Sequence, residues 1–175
     1  MRVIEHRRHA MRDKPNPHLT QAGVTLARHV GEGMGDFAYV VTSTLPRAYE
    51  TAIAMGYAVH EQRELLASMP AAVDRELKHP MPFAAYADVL RRGGAAARYA
   101  AELAALLREL IENVQEGAAV LIVSHGAIVE LSAFGALPNA DLSAWGGEID
   151  YCEGVRLFYE QGAFVRGEVL RVLPA

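Results

Sequence analysis

The segment AAVLIVS, residues 118–124, constrains the fold more than any other part of the sequence. It is a nearly unbroken apolar run, which is typical of a strand buried on both faces of a parallel sheet. Parallel neighbours in a sheet can be joined only by long crossover connections, and these are usually helices. The segment therefore predicts an α/β protein whose sheet is covered by helices.

The rest of the chain alternates between strand and helix patterns as this prediction requires. Strands are predicted at RVIEH (2–6) and FAYVVTS (37–43). Thr20 is a suitable N-cap for the first helix, and Pro46 fits the first turn of the second. Helices are predicted over 19–35, 45–57, 82–92, 95–116 and 125–137. The tail, 154–173, is predicted to form a hairpin that turns at Gln161–Gly162.

These elements predict a three-layer sandwich, with a mainly parallel central sheet flanked by helices and a C-terminal β-hairpin. A chain of 175 residues is long enough to bury one good core, so residues 1–175 are predicted to form a single domain. Residues 60–115 are expected to be a short helical cover segment that shapes the substrate pocket.

Composition excludes several classes of function. The chain has 17 Lys and Arg against 21 Asp and Glu, a net charge of −4, so no nucleic-acid partner is expected. Cys152 is the single cysteine, which excludes an internal disulfide framework and a multi-cysteine metal site. No apolar run approaches the ~18–20 residues of a membrane span, and charges interrupt the N-terminus before a signal sequence could form. A cytoplasmic protein with no membrane partner is expected.

The three predicted strand ends carry an unusual set of side chains. They are HRRHA after the first strand, TSTLPR after the second and SHGA after residues 118–124. Ligands of such sheets bind beyond the carboxyl ends of the strands. Because this positive charge is local in an acidic chain, it indicates a small anionic ligand, and the residue types suit a phosphate group.

The motifs at these strand ends resemble those of the histidine phosphatase superfamily, also called the phosphoglycerate-mutase-like family. Its "RHG" appears as Arg8-His9-Ala10, and its "LTxxG" matches LTQAG. Its "SxLxRAxxTA" matches STLPRAYETA, and its "VSHGG" appears as VSHGA. The four motifs occur in family order at residues 8–10, 19–23, 43–52 and 123–127.

The resemblance implies a phosphatase that hydrolyses a phosphate monoester through a phosphohistidine intermediate on His9. Arg8 and Arg47 would hold the phosphate oxygens, a task suited to the rigid fork of guanidinium donors. His125 would supply a further donor near the start of a helix, with Gly126 beside it. Flanking arginines would keep the attacking imidazole of His9 neutral.

Other members of the predicted site are less defined. Arg12 and Asn16 follow the nucleophile, where relatives often contact phosphate, although Arg12 could equally be a solvated loop residue. The leaving group needs a proton from an acid. Relatives with glycine after the second histidine often use a glutamate after the second helix, and Glu64 is the nearest match. Glu61 and Asp74 stay open as alternatives.

Two other functions stay open besides hydrolysis. One is phosphoryl transfer of the phosphoglycerate-mutase type, and the other is a non-catalytic binder of a phosphorylated ligand. The expected partner is a small phosphorylated substrate, and a protein that carries phosphohistidine is a further candidate. Homodimerisation through an exposed edge strand is left open. No metal site and no cofactor are expected, because the remaining histidines lack ligand spacing.

Overall fold

A single six-stranded sheet organises the structure, a computed structural model that describes residues 1–173. The strand order is β3-β2-β4-β1-β5-β6. β1 to β4 are mutually parallel, and β5 and β6 join antiparallel beside β1. The strands are β1 (Arg2–Arg8), β2 (Tyr39–Ser43), β3 (Glu61–Arg63), β4 (Ala119–Ser124), β5 (Gly154–Glu160) and β6 (Ala163–Leu170).

Helices cover both faces of the sheet, and the central strand β4 contributes side chains to the core on each face. Val120 and Ile122 belong to the large core beneath the C-terminal helices, whereas Leu121 and Val123 pack in a second cluster with Ala48 of the second helix. Side chains of a strand alternate between faces, so the two clusters lie on opposite sides. The helices are α1 (Gln21–Glu32), α2 (Pro46–Ala54), α3 (Ala71–Glu76), α4 (Phe83–Arg91), α5 (Ala95–Glu112) and α6 (Ile128–Ala136). The predicted three-layer α/β fold is confirmed.

Local signals in the sequence placed the element boundaries well. The Thr20 side chain accepts from the Gly23 N–H at the start of α1, and Pro46 is the first residue of α2. The predicted hairpin turn is present, with Gln161 at φ 50° and Gly162 at φ 83°. Two positive φ angles match the twist of the flanking strands β5 and β6.

Residues 60–115 contain a strand in addition to the predicted helices. The segment begins as the edge strand β3, whose three residues pair in parallel with β2. The sequence of β3, Glu-Gln-Arg, is strongly polar. An edge position tolerates such a strand, because its side chains reach solvent and Glu61 and Arg63 can form an ion pair. The long helix α5 packs on the sheet as part of the main core. The role of residues 60–115 in shaping a substrate pocket stays a prediction.

No helix within residues 1–173 is both long enough and apolar enough to cross a bilayer. β6 pairs only with β5 and forms one edge of the sheet. Pairing of two chains along such an edge stays a prediction.

Candidate active site

The four parallel strands end side by side, and their ends form the candidate site. In the sheet register Arg8 lies opposite Ser124, Thr42 opposite Val123, and Ser43 opposite Arg63. The next residues along the chain are therefore aligned at one edge of the sheet, in the order Glu64, Thr44, His125, His9. Residues far apart in sequence meet because parallel strands present their carboxyl ends together.

His9 is held in one tautomer. Its Nδ1 lies 2.6 Å from the carbonyl oxygen of Ala10, which can only accept, so Nδ1 carries the proton. Its Nε2 is then unprotonated, and it accepts from Nε of Arg47 at 3.3 Å. Burial lowers the pKa of His9 to about 3; the bond to Ala10 opposes this, and the charges of Arg47, Arg8 and Arg12 reinforce it. A neutral imidazole with a free electron pair on Nε2 can act as a nucleophile.

His125 lies beside His9, with 5.2 Å between the ring centroids. Its Nε2 is 2.7 Å from the hydroxyl of Ser43, which accepts from the Leu45 N–H and can donate its own hydrogen to the ring. Nδ1 then carries the proton, and among residues 1–173 this buried atom has no partner. Burial, followed by the neighbouring His9 and Arg47, lowers the pKa of His125 to about 2. The ring is thus neutral, and its Nδ1–H is a donor without a hydrogen-bond partner in the described residues.

Three arginines surround the two imidazoles. Arg8 donates to the carbonyl of Ile149 at 2.9 Å and stacks on the ring of Tyr151, with 4.5 Å from Cζ to the centroid. Arg47 is half-buried on the first turn of α2, and burial and the charge of Arg12 lower its pKa. Arg12 forms no ion pair with a carboxylate in the described part of the chain, and its charge acts on both histidines. The three guanidinium groups therefore concentrate positive charge around the two imidazoles.

Two other predicted phosphate ligands, Asn16 and Gly126, lie in different surroundings. Asn16 is exposed, and its side-chain oxygen accepts from the His18 N–H, which stabilises its own loop. Its role as a phosphate ligand stays a prediction. Gly126 lies against Arg8, whose Nε would be 3.4 Å from a Cβ at that position.

Of the three candidate acids, Glu64 is the one that the sheet brings to the site edge. The Thr44 hydroxyl donates to Oε2 of Glu64 at 2.6 Å, and Thr44 directly follows β2. Glu61 lies at the opposite end of β3, where it binds Arg63 and the hydroxyl of Tyr39. Asp74 is exposed on α3.

Tyr151 is a site residue that the sequence analysis missed. Its ring centroid is 5.8 Å from that of His9, and it underlies Arg8. The signal that could have located it is the antiparallel direction of β5: Gly154, its first residue, pairs with Arg7 near the end of β1. Residues just before β5 must therefore lie at the catalytic edge.

A buried polar chain supports the strand ends from below. His6, fully buried on β1, bonds to Ser132 through Nδ1 at 2.8 Å and to Ser124 through Nε2 at 2.6 Å. Because Ser132 donates to the carbonyl of Val129, it accepts from Nδ1, and Ser124 donates to Nε2. Burial lowers the pKa of His6 to about 3. The chain ties β1, β4 and α6 together directly behind His125.

Comparison with known proteins assigns the family. The sequence model described as histidine phosphatase superfamily (branch 1) matches residues 4–167. The chain therefore belongs to the histidine phosphatase superfamily, which confirms the predicted family and, at that level, the class of phosphoric monoester hydrolase. No curated protein matches the sequence of this chain.

Solved structures share the fold at low sequence identity. A phosphoserine phosphatase from Entamoeba histolytica, in complex with 3-phosphoglyceric acid, superposes with a TM-score of 0.70 at 18% identity; the match covers 98% of each chain. A mycobacterial glucosyl-3-phosphoglycerate phosphatase complexed with VO3 gives 0.65 at 22% identity, over 97% of this chain and 98% of the other. Both support the fold assignment.

Ala127 allows a direct test of backbone strain at the site. It stands where the family motif has glycine and adopts φ 67° and ψ −45° at the start of α6. Such angles cost a residue other than glycine about 1–3 kcal/mol. Glycine in turn lowers stability by about 0.4–1 kcal/mol, because it raises the conformational entropy of the unfolded chain. We expect Ala127→Gly to raise the free energy of unfolding by about 1 kcal/mol in urea titrations. Ala133→Gly, within α6, is the control and should lower the free energy of unfolding by at least about 1 kcal/mol. If Ala127→Gly lowers it as well, Ala127 is not strained.

The lowered pKa values predict acid sensitivity. His6, His9 and His125 stay neutral in the folded chain down to about pH 3, 3 and 2, whereas in the unfolded chain they protonate near 6.5. The unfolded state therefore takes up more protons as the pH falls, and the free energy of unfolding decreases. Between pH 7 and pH 5 we expect a loss of about 2 kcal/mol for each histidine.

Urea unfolding at the two pH values, for the wild type and His9→Asn, checks this expectation. The variant should lose about 2 kcal/mol less than the wild type on acidification. An equal loss in both proteins would mean that folding does not lower the pKa of His9.

Proposed function

We propose that this protein is a phosphatase that hydrolyses small phosphate monoesters through a phosphohistidine formed on Nε2 of His9. The observation that carries the proposal is the fixed tautomer of His9, whose unprotonated Nε2 lies among the guanidinium groups of Arg8, Arg12 and Arg47. A phosphoryl group needs an in-line nucleophile and positive donors around its equatorial oxygens, and this arrangement supplies both.

In the first step Nε2 of His9 attacks phosphorus and the bond to the leaving oxygen breaks. Arg8, Arg47 and Nδ1 of His125 donate to the phosphoryl oxygens, on which charge builds up in the transition state. The proton on Nδ1 of His9 stays bonded to Ala10, which stabilises the charge that develops on the ring. The leaving oxygen takes a proton from Glu64, the acid at the rim of the site.

In the second step water attacks phosphorus and the P–N bond breaks. Glu64, now a carboxylate, accepts the proton of that water, and the electron pair of the P–N bond returns to Nε2 of His9. The rim favours hydrolysis over transfer to a second acceptor, because Glu64 and Thr44 are both exposed to solvent. Water can therefore reach the intermediate.

Phosphate release from para-nitrophenyl phosphate tests the nucleophile. We expect His9→Ala to lose activity by at least about 10³-fold, as removal of a nucleophile does in other enzymes. His29→Ala is the matched control, because that histidine lies on the exposed face of α1 beside Glu32, and it should retain full activity. In rapid quench with a ³²P-labelled substrate, the wild type should carry an acid-labile label that His9→Ala lacks.

The same assays separate the alternatives. Isomerisation of 3-phosphoglycerate without phosphate release would identify a mutase. Saturable binding of phosphate or vanadate, without turnover of any of a broad set of esters, would identify a binder. Activity that survives in His9→Ala would contradict the assignment of the nucleophile.

The role of Glu64 predicts a dependence on the leaving group. A poor leaving group such as an alkoxide needs protonation, whereas para-nitrophenolate does not. We expect Glu64→Gln to lower kcat/KM for alkyl phosphates by about 10²–10⁴-fold, with a much smaller effect on para-nitrophenyl phosphate. Glu61→Gln, the same change at the far end of β3, is the control. Equal losses on both substrates, or a loss in the control instead, would exclude Glu64 as the acid.

A further inference from the structure

Glu130 is a buried carboxyl group that the chemistry above does not use. It lies on the first turn of α6 and is 1% exposed. Its Oε1 accepts from the Ile149 N–H at 2.9 Å, while Oε2 is buried and has no partner within residues 1–173. Burial raises the pKa of Glu130, and the N–H groups of Ile149 and of the start of α6 oppose that shift. A carboxyl group is rarely buried in this way without a role.

Ile149 links Glu130 to Arg8 through two hydrogen bonds. The carbonyl of Ile149 accepts from Arg8 at 2.9 Å, so one buried residue is bonded to Glu130 through its N–H and to Arg8 through its oxygen. The next two residues also face Arg8: an Asp150 carboxylate oxygen is 3.9 Å from the guanidinium, and Tyr151 lies under it. We call residues 149–151 the Arg8 clamp.

The Arg8 clamp leaves one N–H group of the Arg8 guanidinium without a hydrogen-bond partner in the described residues. Nε of Arg8 is buried without a partner in the described residues, on the side that faces Gly126 and the turn after β4. A free arginine side chain loses rotamer freedom when it binds a phosphate, and that loss weakens binding. A guanidinium that is already oriented by its neighbours avoids most of this cost. The orientation depends on where the Arg8 clamp lies, and Glu130 fixes its first residue.

We propose that Glu130 is a positioning residue, which holds the Arg8 clamp through Ile149 and thereby sets the affinity of the site for a phosphate group. The proposal rests on the proposed function only for the statement that Arg8 binds phosphate. It requires Glu130 to act through its acceptor oxygen, not by giving a proton to the substrate.

Two substitutions separate these roles. Glu130→Gln keeps an oxygen that can accept from Ile149, whereas Glu130→Met has similar volume and no acceptor. We expect Glu130→Met to raise the Kd for inorganic phosphate, measured by calorimetry, and the KM for para-nitrophenyl phosphate by about tenfold, with a smaller change in kcat. Glu130→Gln should restore both constants to within about twofold of the wild type. The amide signal of Ile149 in ¹H–¹⁵N spectra should move in the Met variant only.

Leu131→Ala is the control for general destabilisation, because Leu131 is fully buried in the same helix and its apolar side chain cannot form the hydrogen bonds that link Glu130, Ile149 and Arg8. It should lower Tm without changing the Kd for phosphate. The proposal is overturned if Glu130→Met lowers Tm but binds phosphate as the wild type does, or if Glu130→Gln binds as weakly as Glu130→Met. Loss of kcat in Glu130→Gln with unchanged binding would also overturn it, in favour of a proton donor.

The binding measurement keeps this proposal separate from the proposed function. A wild type that binds phosphate but hydrolyses nothing would contradict the phosphatase and would still test Glu130 through Kd. A wild type that binds no phosphate would overturn both.

Discussion

Positive charge gathered around two neutral imidazoles is the constraint on which the rest of the site depends. The charges of Arg12 and Arg47 lower the pKa of both histidines, and that of Arg8 lowers the pKa of His9. Burial, and after it the charge of Arg12, lowers the pKa of Arg47. Without an anion between them these charges are unfavourable, because like charges in a partly buried pocket are poorly screened. A phosphate group relieves that repulsion. Binding of a phosphate group among these arginines should therefore stabilise the folded protein.

The surrounding fold supplies the rigidity that such a site needs. His9 and His125 follow adjacent central strands, β1 and β4, which are buried by helices on both faces. Below them the His6, Ser124 and Ser132 side chains form a satisfied polar chain within the core. A buried polar network with every member paired specifies one arrangement. The strand ends can therefore hold two uncharged imidazoles in place, including Nδ1 of His125, which has no partner within residues 1–173.

The sequence predicted those parts of the molecule that local pattern determines. The apolar run 118–124, the Thr20 cap and the Gln161–Gly162 turn each act through neighbours in the chain, and each is present in the structure. His9, Arg8, Arg47 and His125 were predicted because they occur in motifs at strand ends. The parallel register of β1, β4 and β2 aligns the ends of these strands, so these four residues lie at the same end of the sheet.

Other parts depend on contacts between distant segments and could not be predicted from pattern. The strand β3 has a polar sequence without strand periodicity and exists because β2 offers a free edge. The contact of Tyr151 with Arg8 follows from the antiparallel pairing of β5 with β1. The Glu130 to Ile149 bond likewise joins residues on two separate elements.

In the proposed function the nucleophile His9 and the acid Glu64 lie in different environments, and the chemistry proposed for each accounts for the difference. His9 must keep an electron pair at neutral pH, so it gains from burial and from positive neighbours, both of which oppose protonation. The acid must release and recover a proton in every cycle, so it needs contact with water. Glu64 meets that need because it follows β3, the edge strand, where the sheet ends and solvent begins. The position of a strand in the sheet, central or edge, thus decides which chemical task its end can perform.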